Sequence, residues 1–146
     1  EELKKLKGTS YEPFVDPNFQ DDFESFSIHR LVFYKPTKQY IGNVRLICPN
    51  MGLENLLPAE KAGKGFFKNW FHSSDIPRKY LGEVSQIAIL PNFRAKFAII
   101  GILKAIFEMC HERSIYFFLI AIEPRINRVL HLLGIELHPV SDIFNY

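Results

Sequence analysis

A single carboxylate opens an apolar run in this sequence, at Glu83 in the stretch EVSQIAIL that ends at Leu90. An acid at the start of an apolar strand serves either as a structural hydrogen-bond partner or as a general base. Burial against apolar neighbours raises the pKa of a carboxyl group toward neutral pH, which suits proton abstraction from an amine. Ser85 follows two residues later, so on a strand it shares the face of Glu83 and could orient a water or an acyl carbonyl. Glu83 and Ser85 are therefore the candidate catalytic residues.

The apolar run is followed by a short basic turn that could bind an anion. Pro91 and Asn92 end the strand, and from Phe97 onward the pattern is helical. The turn between them contains Arg94, Ala95 and Lys96. A strand that feeds a helix N-terminus through such a turn offers free N–H groups and the positive end of the helix dipole to a phosphate. An ordinary strand-turn-helix unit with a solvated basic turn fits the same spacing, so the spacing leaves both interpretations open.

The elements before this strand are predicted to form an antiparallel hairpin. Ser27–Tyr34 and Tyr40–Cys48 have strand patterns, and the linker Lys35–Gln39 supplies the turn. Along the second strand, Val44, Leu46 and Cys48 alternate with Asn43, Arg45 and Ile47. Arg45 therefore shares a face with Asn43. An arginine on a strand is usually a surface residue, and the alternative is a residue that binds a substrate.

The elements after the basic turn alternate between helix and strand. The helix continues over Gly101–Arg113, with charged residues on one stripe. The run Ser114–Ile122 is wholly apolar, which predicts a central strand. Pro124 begins another helix that Gly134 caps, and Ile135–Val140 has the pattern of a last strand. The apolar face of that last helix consists of Ile126, Val129, Leu130, Leu132 and Leu133. The order predicts an α/β architecture, a central mixed sheet flanked by helices.

Composition limits the classes of function. The 146 residues are 47% apolar, which suits one domain over residues 1–146, and we expect the N-terminal part to be truncated. A net charge of +2 is too small to indicate nucleic-acid binding. Cys48 and Cys110 lie far apart in apolar runs, which predicts buried, reduced thiols and a cytoplasmic protein. No apolar run approaches the roughly 20 residues of a membrane span, and the sequence shows no metal-ligand cluster, nucleophile elbow or nucleotide-hydrolase phosphate loop.

Two segments together resemble a known fold. EVSQIAILPNFR resembles the fourth strand and following turn of the GNAT acyltransferase fold, and EPRINRVLHLLGI resembles its last helix and terminal glycine turn. In that fold the strand splays from its neighbour, its backbone groups hold a pantetheine arm, and the turn binds the pyrophosphate. The resemblance implies a GNAT-like fold for this chain.

A longer series of motifs resembles one subfamily over roughly residues 20 to 140. DDFESFSIHRLVF, IGNVRLICP, LPAEK, EVSQIAI and EPRINRVLHLLGI resemble, in this order, the acyltransferases associated with the PEP-CTERM/exosortase system. These are related to acyl-homoserine-lactone (autoinducer) synthases and N-acyl amino acid synthases of bacteria. The chain departs from the pattern at Gln86, where an arginine is usual, in the glycine-free turn after Arg94, and at Leu130, where many acetyltransferases place a tyrosine general acid. The long insert that the subfamily carries after the arginine at the position of Arg94 is also absent.

The resemblance implies an N-acyltransferase that moves a long acyl chain from a thioester to a small amine, such as an amino acid. The thioester, on acyl-carrier protein or coenzyme A, would be a co-substrate, and no tightly bound cofactor is expected. Glu83 would accept the amine proton, and Arg45 would bind the acceptor carboxylate. Backbone N–H groups of Ile87, Ala88 and Ile89 would polarise the thioester carbonyl, Arg94, Ala95 and Lys96 would hold phosphate, and the other substrate-binding candidates are Gln86, His29 and Glu24. The alternatives are a short-chain acetyl-coenzyme A N-acetyltransferase and a non-catalytic acyl-binding module.

Overall fold

The computed structural model describes residues 21–63, 67–68, 72–94 and 98–141. Within them a four-stranded sheet has the order β1-β2-β3-β4. Its strands are β1 (Ser27–Tyr34), β2 (Gln39–Ile47), β3 (Leu81–Ile89) and β4 (Phe117–Ile120). The helices are α1 (Pro58–Gly63), α2 (Ala98–Glu112) and α3 (Pro124–Leu132). The first three strands run antiparallel and β3 pairs with β4 in parallel, so the sheet is mixed as predicted.

The β1–β2 hairpin forms where the sequence predicted it. Pro36 lies in a single 3₁₀ turn over Lys35–Thr37, and Lys38 closes the turn in the left-handed region with φ of 52°. Alternation then sorts the side chains of β2 between the two faces of the sheet. Val44, Leu46 and Cys48 are buried against α2, whereas Arg45 and Ile47 lie on the opposite face.

The helix α2 covers one face of the sheet. Its buried residues are Ala98, Ile102, Ala105, Ile106, Met109 and Cys110, and its predicted charged stripe is exposed. Val84 of β3 and the buried half of β2 complete this core. Cys48 and Cys110 are free and buried within it, and burial raises the pKa of each thiol to about 11. Both thiols are therefore buried, as predicted, and are hard to ionise.

A second apolar cluster lies on the other face and positions the site. It consists of Phe23, Ile47, Leu53, Leu57, Ala59, Leu81 and Leu119. This cluster joins the segment before β1 and the start of α1 to the first half of β3. The first residues of α1 are thereby brought against the face of β3 that carries Glu83.

Two predicted strands differ from the structure. Only Phe117–Ile120 of the predicted central strand is extended, and it lies at an edge of the described sheet. Ile115 before it is still bonded to the carbonyl of Cys110 at the end of α2 through a turn at Ser114, which has φ of 55°. The predicted strand over Ile135–Val140 is not a strand in the described chain. Its end is paired all the same, because the Val140 carbonyl accepts the Lys68 N–H at 2.8 Å and Ser141 forms an isolated antiparallel bridge with Phe67. Pro139 within it has no N–H to donate to a neighbour.

The helix α3 begins at Pro124 and ends before Gly134, which has φ of 78°, as predicted. Its predicted apolar face is buried only at Leu130, and Leu132 is 85% exposed. Periodicity identifies the apolar face of a helix, but burial requires a neighbouring element to cover it. None of the helices in the described ranges is long and apolar enough to cross a membrane.

Candidate functional site

The first half of β3 is paired on both sides and the second half only toward β2. The ladder with β4 joins Leu81–Val84 to Phe117–Ile120 and ends there, while β3 continues to Ile89. At the same level, the register between β2 and β3 shifts: Arg45 lies opposite Ser85, but Asn43 lies opposite Ala88. Two residues of β3 therefore oppose one residue of β2, which is a β-bulge.

The bulge places a residue with a side chain in an uncommon conformation. Gln86 has φ of 49°, in the left-handed region that residues other than glycine rarely adopt. Ile87, the next residue, is 37% exposed. The bulge thus lies just beyond the point where the ladder between β3 and β4 ends.

Glu83 lies opposite Ile47 in β2. Two residues later comes Ser85, the last residue of β3 that is paired in register before the bulge. The side chain of Glu83 is buried, with 3% relative exposure, and one carboxylate oxygen accepts a hydrogen bond from the Ala59 N–H at 2.8 Å. Burial raises the pKa of Glu83 to about 7, against the lowering effects of the Ala59 N–H and of Arg45. A pKa in this range suits a general base that works near neutral pH.

Arg45 connects Glu83's neighbourhood to the segment before β1. It is buried and donates through Nε to the Ser85 hydroxyl at 2.9 Å. Its Nη1 pairs with Asp21 at 2.7 Å and with Glu24 at 3.5 Å. Glu24 in turn lies 2.9 Å from Nε2 of His29. A continuous polar network thus runs from β3 through β2 to β1.

The structure brings five of the predicted site residues into one region: Glu83, Ser85, Arg45, Glu24 and His29. Gln86, Ile87, Ala88 and Ile89 form the continuation of β3 beyond them. Arg94 is exposed at the far end, and its Nε donates to the Ile89 carbonyl at 3.2 Å. Ala95 and Lys96 lie outside the described residues, so the structure describes one member of the predicted basic turn.

The ion pairs of Arg45 bear on its expected contact with an acceptor carboxylate. Two carboxylates of the chain, Asp21 and Glu24, already lie against its guanidinium. With 3% exposure, Arg45 is also far less open than a surface receptor for a carboxylate. This geometry favours a role for Arg45 as a positioning residue, which holds Ser85 and the segment before β1 in place.

Sequence reasoning missed several residues of this region. Asp21 carries the shorter ion pair to Arg45, and the only sequence signal for it is the acidic stretch DDFE. Asn43 donates from its side-chain amide to the Gln86 carbonyl at 3.2 Å, and strand alternation had placed it on the face of Arg45 without a partner. These contacts join segments far apart in the chain, so local patterns do not reveal them.

Glu60 is a second buried carboxylate next to Glu83 that the sequence reasoning did not single out. It accepts the Leu57 N–H at 2.7 Å and pairs with Arg78 at 2.6 Å. Pro58 at the first position of α1 and Glu60 at the third are a readable helix-start signal, because an acid there accepts the N–H before the helix. Glu60 fixes the start of α1, which carries the Ala59 N–H that Glu83 accepts.

The described residues contain no group of three or more His, Cys, Asp or Glu side chains arranged to hold a metal ion. Two shallow cavities of about 360 and 380 Å³ lie elsewhere on the surface. One is lined by residues that include Asn50, Tyr80 and Glu112, and the other by Arg128, His131 and His138. Glu83 lines neither cavity, so neither is a site for an acyl chain beside Glu83.

No protein-family model matches the chain, and no curated protein matches it significantly. Several solved structures, however, are similar to the chain in fold. A Bacillus halodurans protein superposes with a TM-score of 0.57 over 99% of this chain and 82% of its own, at 12% identity. An acetyltransferase of Trypanosoma brucei has a TM-score of 0.51 over 84% of this chain and 70% of its own, at 11% identity.

Glucosamine-6-phosphate N-acetyltransferase of Arabidopsis thaliana likewise has a TM-score of 0.51, with 84% of this chain and 67% of its own covered, at 7% identity. The mixed sheet with flanking helices and these likenesses show that the chain has an α/β GNAT fold. The fold predicted from the sequence is thereby confirmed.

Proposed function

We propose that this chain is an N-acyltransferase that moves an acyl group from a thioester to the amine of a small acceptor. The observation that carries the proposal is Glu83, a buried carboxyl group with a pKa of about 7 on the strand that leaves its parallel neighbour. The GNAT fold and the acetyltransferases that share it support this class of reaction. A thioester of coenzyme A or of acyl-carrier protein would be the donor, bound as a co-substrate.

Glu83 is proposed as the general base. An amine is protonated at neutral pH and must lose a proton before its nitrogen can attack the thioester carbonyl. The Glu83 carboxylate takes this proton, directly or through a water, while the new C–N bond forms. The C–S bond then breaks, and the thiolate leaves and becomes the free thiol by taking the second proton that the attacking nitrogen loses on becoming an amide. Ser85 lies on the same face and is held by Arg45 at 2.9 Å, so its hydroxyl can orient the water or the carbonyl.

The second half of β3 is proposed to bind the thioester. Because the ladder with β4 ends at Val84, the β4-facing side of the strand beyond it offers backbone groups to a ligand. Among Ile87, Ala88 and Ile89, the N–H groups of Ile87 and Ile89 lie on that side, because the Leu90 N–H donates to the Ile41 carbonyl in β2 and N–H directions alternate along a strand. They would polarise the carbonyl and stabilise the oxyanion. Arg94 follows at the end of the strand, where with Ala95 and Lys96 it would hold a donor phosphate.

The finer parts of the proposal rest on the motif resemblance to the acyltransferases associated with the PEP-CTERM/exosortase system. They are a long acyl chain, an acyl-carrier protein donor and an amino acid acceptor. An acceptor carboxylate would have to displace Asp21 or Glu24 from Arg45. The network therefore favours amines whose carboxylate, if present, is bound elsewhere, with Glu24, His29 and Gln86 as further contacts.

We also place the protein in the cytoplasm and treat residues 1–146 as one domain. The supporting observation for the cytoplasm is chemical. Cys48 and Cys110 are free and buried in the core next to α2, as is usual in a reducing compartment.

A short-chain acetyl-coenzyme A N-acetyltransferase is the second candidate. Two of the solved structures of the same fold described above are named as acetyltransferases. The glycine-free turn after Arg94 favours the first candidate, because a tight cradle of N–H groups around a pyrophosphate is built more easily with glycine.

Thioester turnover against a panel of amines tests the proposal. Purified protein is incubated with coenzyme A and acyl-carrier protein thioesters from acetyl to long acyl chains, and free thiol and N-acyl product are measured. We expect thiol release that depends on the amine and rises with chain length, since each buried CH₂ contributes about 0.8 kcal/mol. An optimum at acetyl-coenzyme A would establish the second candidate. Binding of thioesters with no turnover of any would overturn the enzyme proposal and favour an acyl-binding module.

A further inference from the structure

The bulge in β3 is held from β2 by two side chains on the same face. Asn43 donates from Nδ2 to the Gln86 carbonyl at 3.2 Å, and Arg45 donates from Nε to the Ser85 hydroxyl at 2.9 Å. Val44 lies between them in β2 and points to the opposite face, into the core under α2. Two consecutive residues of β3, Ser85 just before the bulge and Gln86 within it, are thus each tied to a different residue of β2.

The conformation at the centre of this arrangement needs support. Gln86 has φ of 49°, and a residue with a Cβ in this region is disfavoured by its own backbone sterics. Glycine would adopt the same backbone without that cost. A strained conformation of this kind persists only where the surrounding structure imposes it. The amide of Asn43 is a contact made directly to the backbone of Gln86, across the bulge.

We propose that Asn43 is a positioning residue for the reaction. By holding the Gln86 carbonyl, its amide keeps Gln86 in the left-handed region. The direction of the following backbone N–H groups on the side away from β2, those of Ile87 and Ile89, is fixed in consequence. The catalytic part of this inference rests on the proposed function, in which these N–H groups bind the thioester carbonyl. The structural part, a hydrogen bond that stabilises the bulge, stands on the geometry alone.

The contact is chemically specific. A carbonyl oxygen accepts hydrogen bonds, so residue 43 must present a donor. Asparagine does so through its NH₂ group, whereas an aspartate of the same shape presents two oxygens and repels the carbonyl. Leu31 supplies a matched control, because it pairs with Asn43 across the β1–β2 ladder and is 58% exposed. Its truncation removes a neighbouring side chain on β1 without touching the bulge.

The test is a double-mutant cycle with glycine as the rescuing residue. In the native background, Asn43→Ala and Asn43→Asp should each lower kcat/KM for the thioester by about tenfold, the value of one ordinary hydrogen bond. The KM for the amine should stay unchanged. With Gln86→Gly, which needs no support at positive φ, adding Asn43→Ala should cost less than about threefold. With Gln86→Ala, which removes the same side chain but keeps a Cβ, the tenfold loss should remain. Leu31→Ala should match the unmodified protein.

Two readouts do not depend on catalysis. The urea midpoint should fall with Asn43→Ala alone and hardly at all when Gln86→Gly is also present. Amide hydrogen exchange at Ala88 and Leu90, whose N–H groups point to β2, should be faster with Asn43→Ala and slow again in the double variant. Equal losses of midpoint in both backgrounds would overturn the inference. Coupling in urea with an unchanged kcat/KM for the thioester would overturn the positioning role. If the unmodified protein turned over no thioester, the proposed function would have failed, and the urea cycle would still decide whether Asn43 holds the bulge.

Discussion

The guanidinium of Arg45 and the hydroxyl of Ser85 are joined at 2.9 Å across β2 and β3, at the last aligned pair before the register shift. On one side of this contact lies Glu83, whose pKa is raised by burial to about 7. On the other lies the bulge at Gln86. The contact therefore connects the proposed base to the backbone proposed to bind the thioester.

Glu83→Gln is the substitution on which the mechanism depends. Glutamine keeps the volume and an oxygen for the Ala59 N–H but cannot accept the amine proton. We expect folded protein, near-normal donor binding and turnover lower by at least about a hundredfold, the usual contribution of a positioned base. Stopped assays of thiol release over a range of pH measure this. Raising the pH should partly restore turnover, because free amine then forms without help.

Glu60→Gln is the matched control for that substitution. Like Glu83, Glu60 is a carboxylate with 3% exposure that accepts a hydrogen bond from a backbone N–H. The donor to Glu60 is the Leu57 N–H, and Glu60 is also paired with Arg78. We expect its variant to lose stability and keep turnover at pH above the pKa of Glu83. Because the charge of Glu60 raises that pKa, the acid limb of the pH–rate profile should move to lower pH. Normal turnover by Glu83→Gln would mean that the proton leaves by another route, with Glu24 or His29 as the next candidates.

Glu83 also makes stability depend on pH. Burial raises its pKa from an ordinary 4.5 to about 7, so the folded state holds this proton more tightly than the unfolded chain. The resulting stabilisation is fully present below about pH 4.5 and is lost as pH rises through about 7. The loss should amount to about 3 kcal/mol of unfolding free energy. Urea unfolding of the native protein and Glu83→Gln across this range isolates it, and parallel curves would show that Glu83 does not titrate between the two states.

Arg45 is predicted to matter for both stability and the proton transfer. Arg45→Met removes a buried charge and leaves Asp21 unpaired, so unfolding free energy should fall by about 1.5–3 kcal/mol, the value of a hydrogen bond to a charged group. Since Arg45 lowers the pKa of Glu83, the acid limb of the rate profile should also move to higher pH. Arg45→Lys keeps the charge but cannot reach Ser85 and Asp21 together. It should therefore keep the acid limb of the rate profile near its native pH while the free energy of unfolding still falls. A profile that does not move with Arg45→Met would separate Arg45 from the base.

Gly42 lies in β2 next to the bulge and has no room for a side chain. A Cβ there would lie 2.9 Å from the Ala88 carbonyl oxygen and 3.4 Å from a methyl of Ile102. Because the nearest atom is backbone, relief requires β3 to move. Gly42→Ala should therefore lower unfolding free energy by about 1–3 kcal/mol, measured by thermal or urea unfolding. Gly52→Ala is a poor comparison because of its positive φ, so Ala62→Gly in α1 serves as the control for glycine–alanine exchange in general. An unchanged midpoint for Gly42→Ala would mean that β2 and β3 can move apart enough here to accept a methyl group.

Arg94→Ala tests the donor site. Arg94 is exposed at the end of β3 and contacts the Ile89 carbonyl through Nε, which leaves its charge open to solvent. If it holds a donor phosphate, its loss should raise the KM for the thioester by about ten- to a hundredfold, since hydrogen bonds to charged groups contribute about 1.5–3 kcal/mol. The KM for the amine should not change. Lys104→Ala removes an exposed charge on α2 and should have no effect on either. Equal donor KM values for Arg94→Ala and the native protein would remove the basic turn from the proposal.

Much of the fold and part of the site could be predicted from the sequence, because local patterns encode local structure. Alternation placed β1, β2 and β3 to within a few residues, and proline and glycine marked the ends of α3. The same alternation put Glu83 and Ser85 on one face and Arg45 on the face of Asn43. Apolar neighbours in sequence were enough to expect that burial would raise the pKa of Glu83.

Only the tertiary structure decided which of these groups meet. The Ala59 N–H on Glu83, the Asp21 ion pair to Arg45 and the bulge at Gln86 depend on the register between segments far apart in the chain. Exposure of α3 and the place of β4 at the edge of the described sheet were likewise outside the reach of local patterns. Periodicity shows which face of an element is apolar, whereas burial, charge pairing and strained backbone are set by what packs against that face.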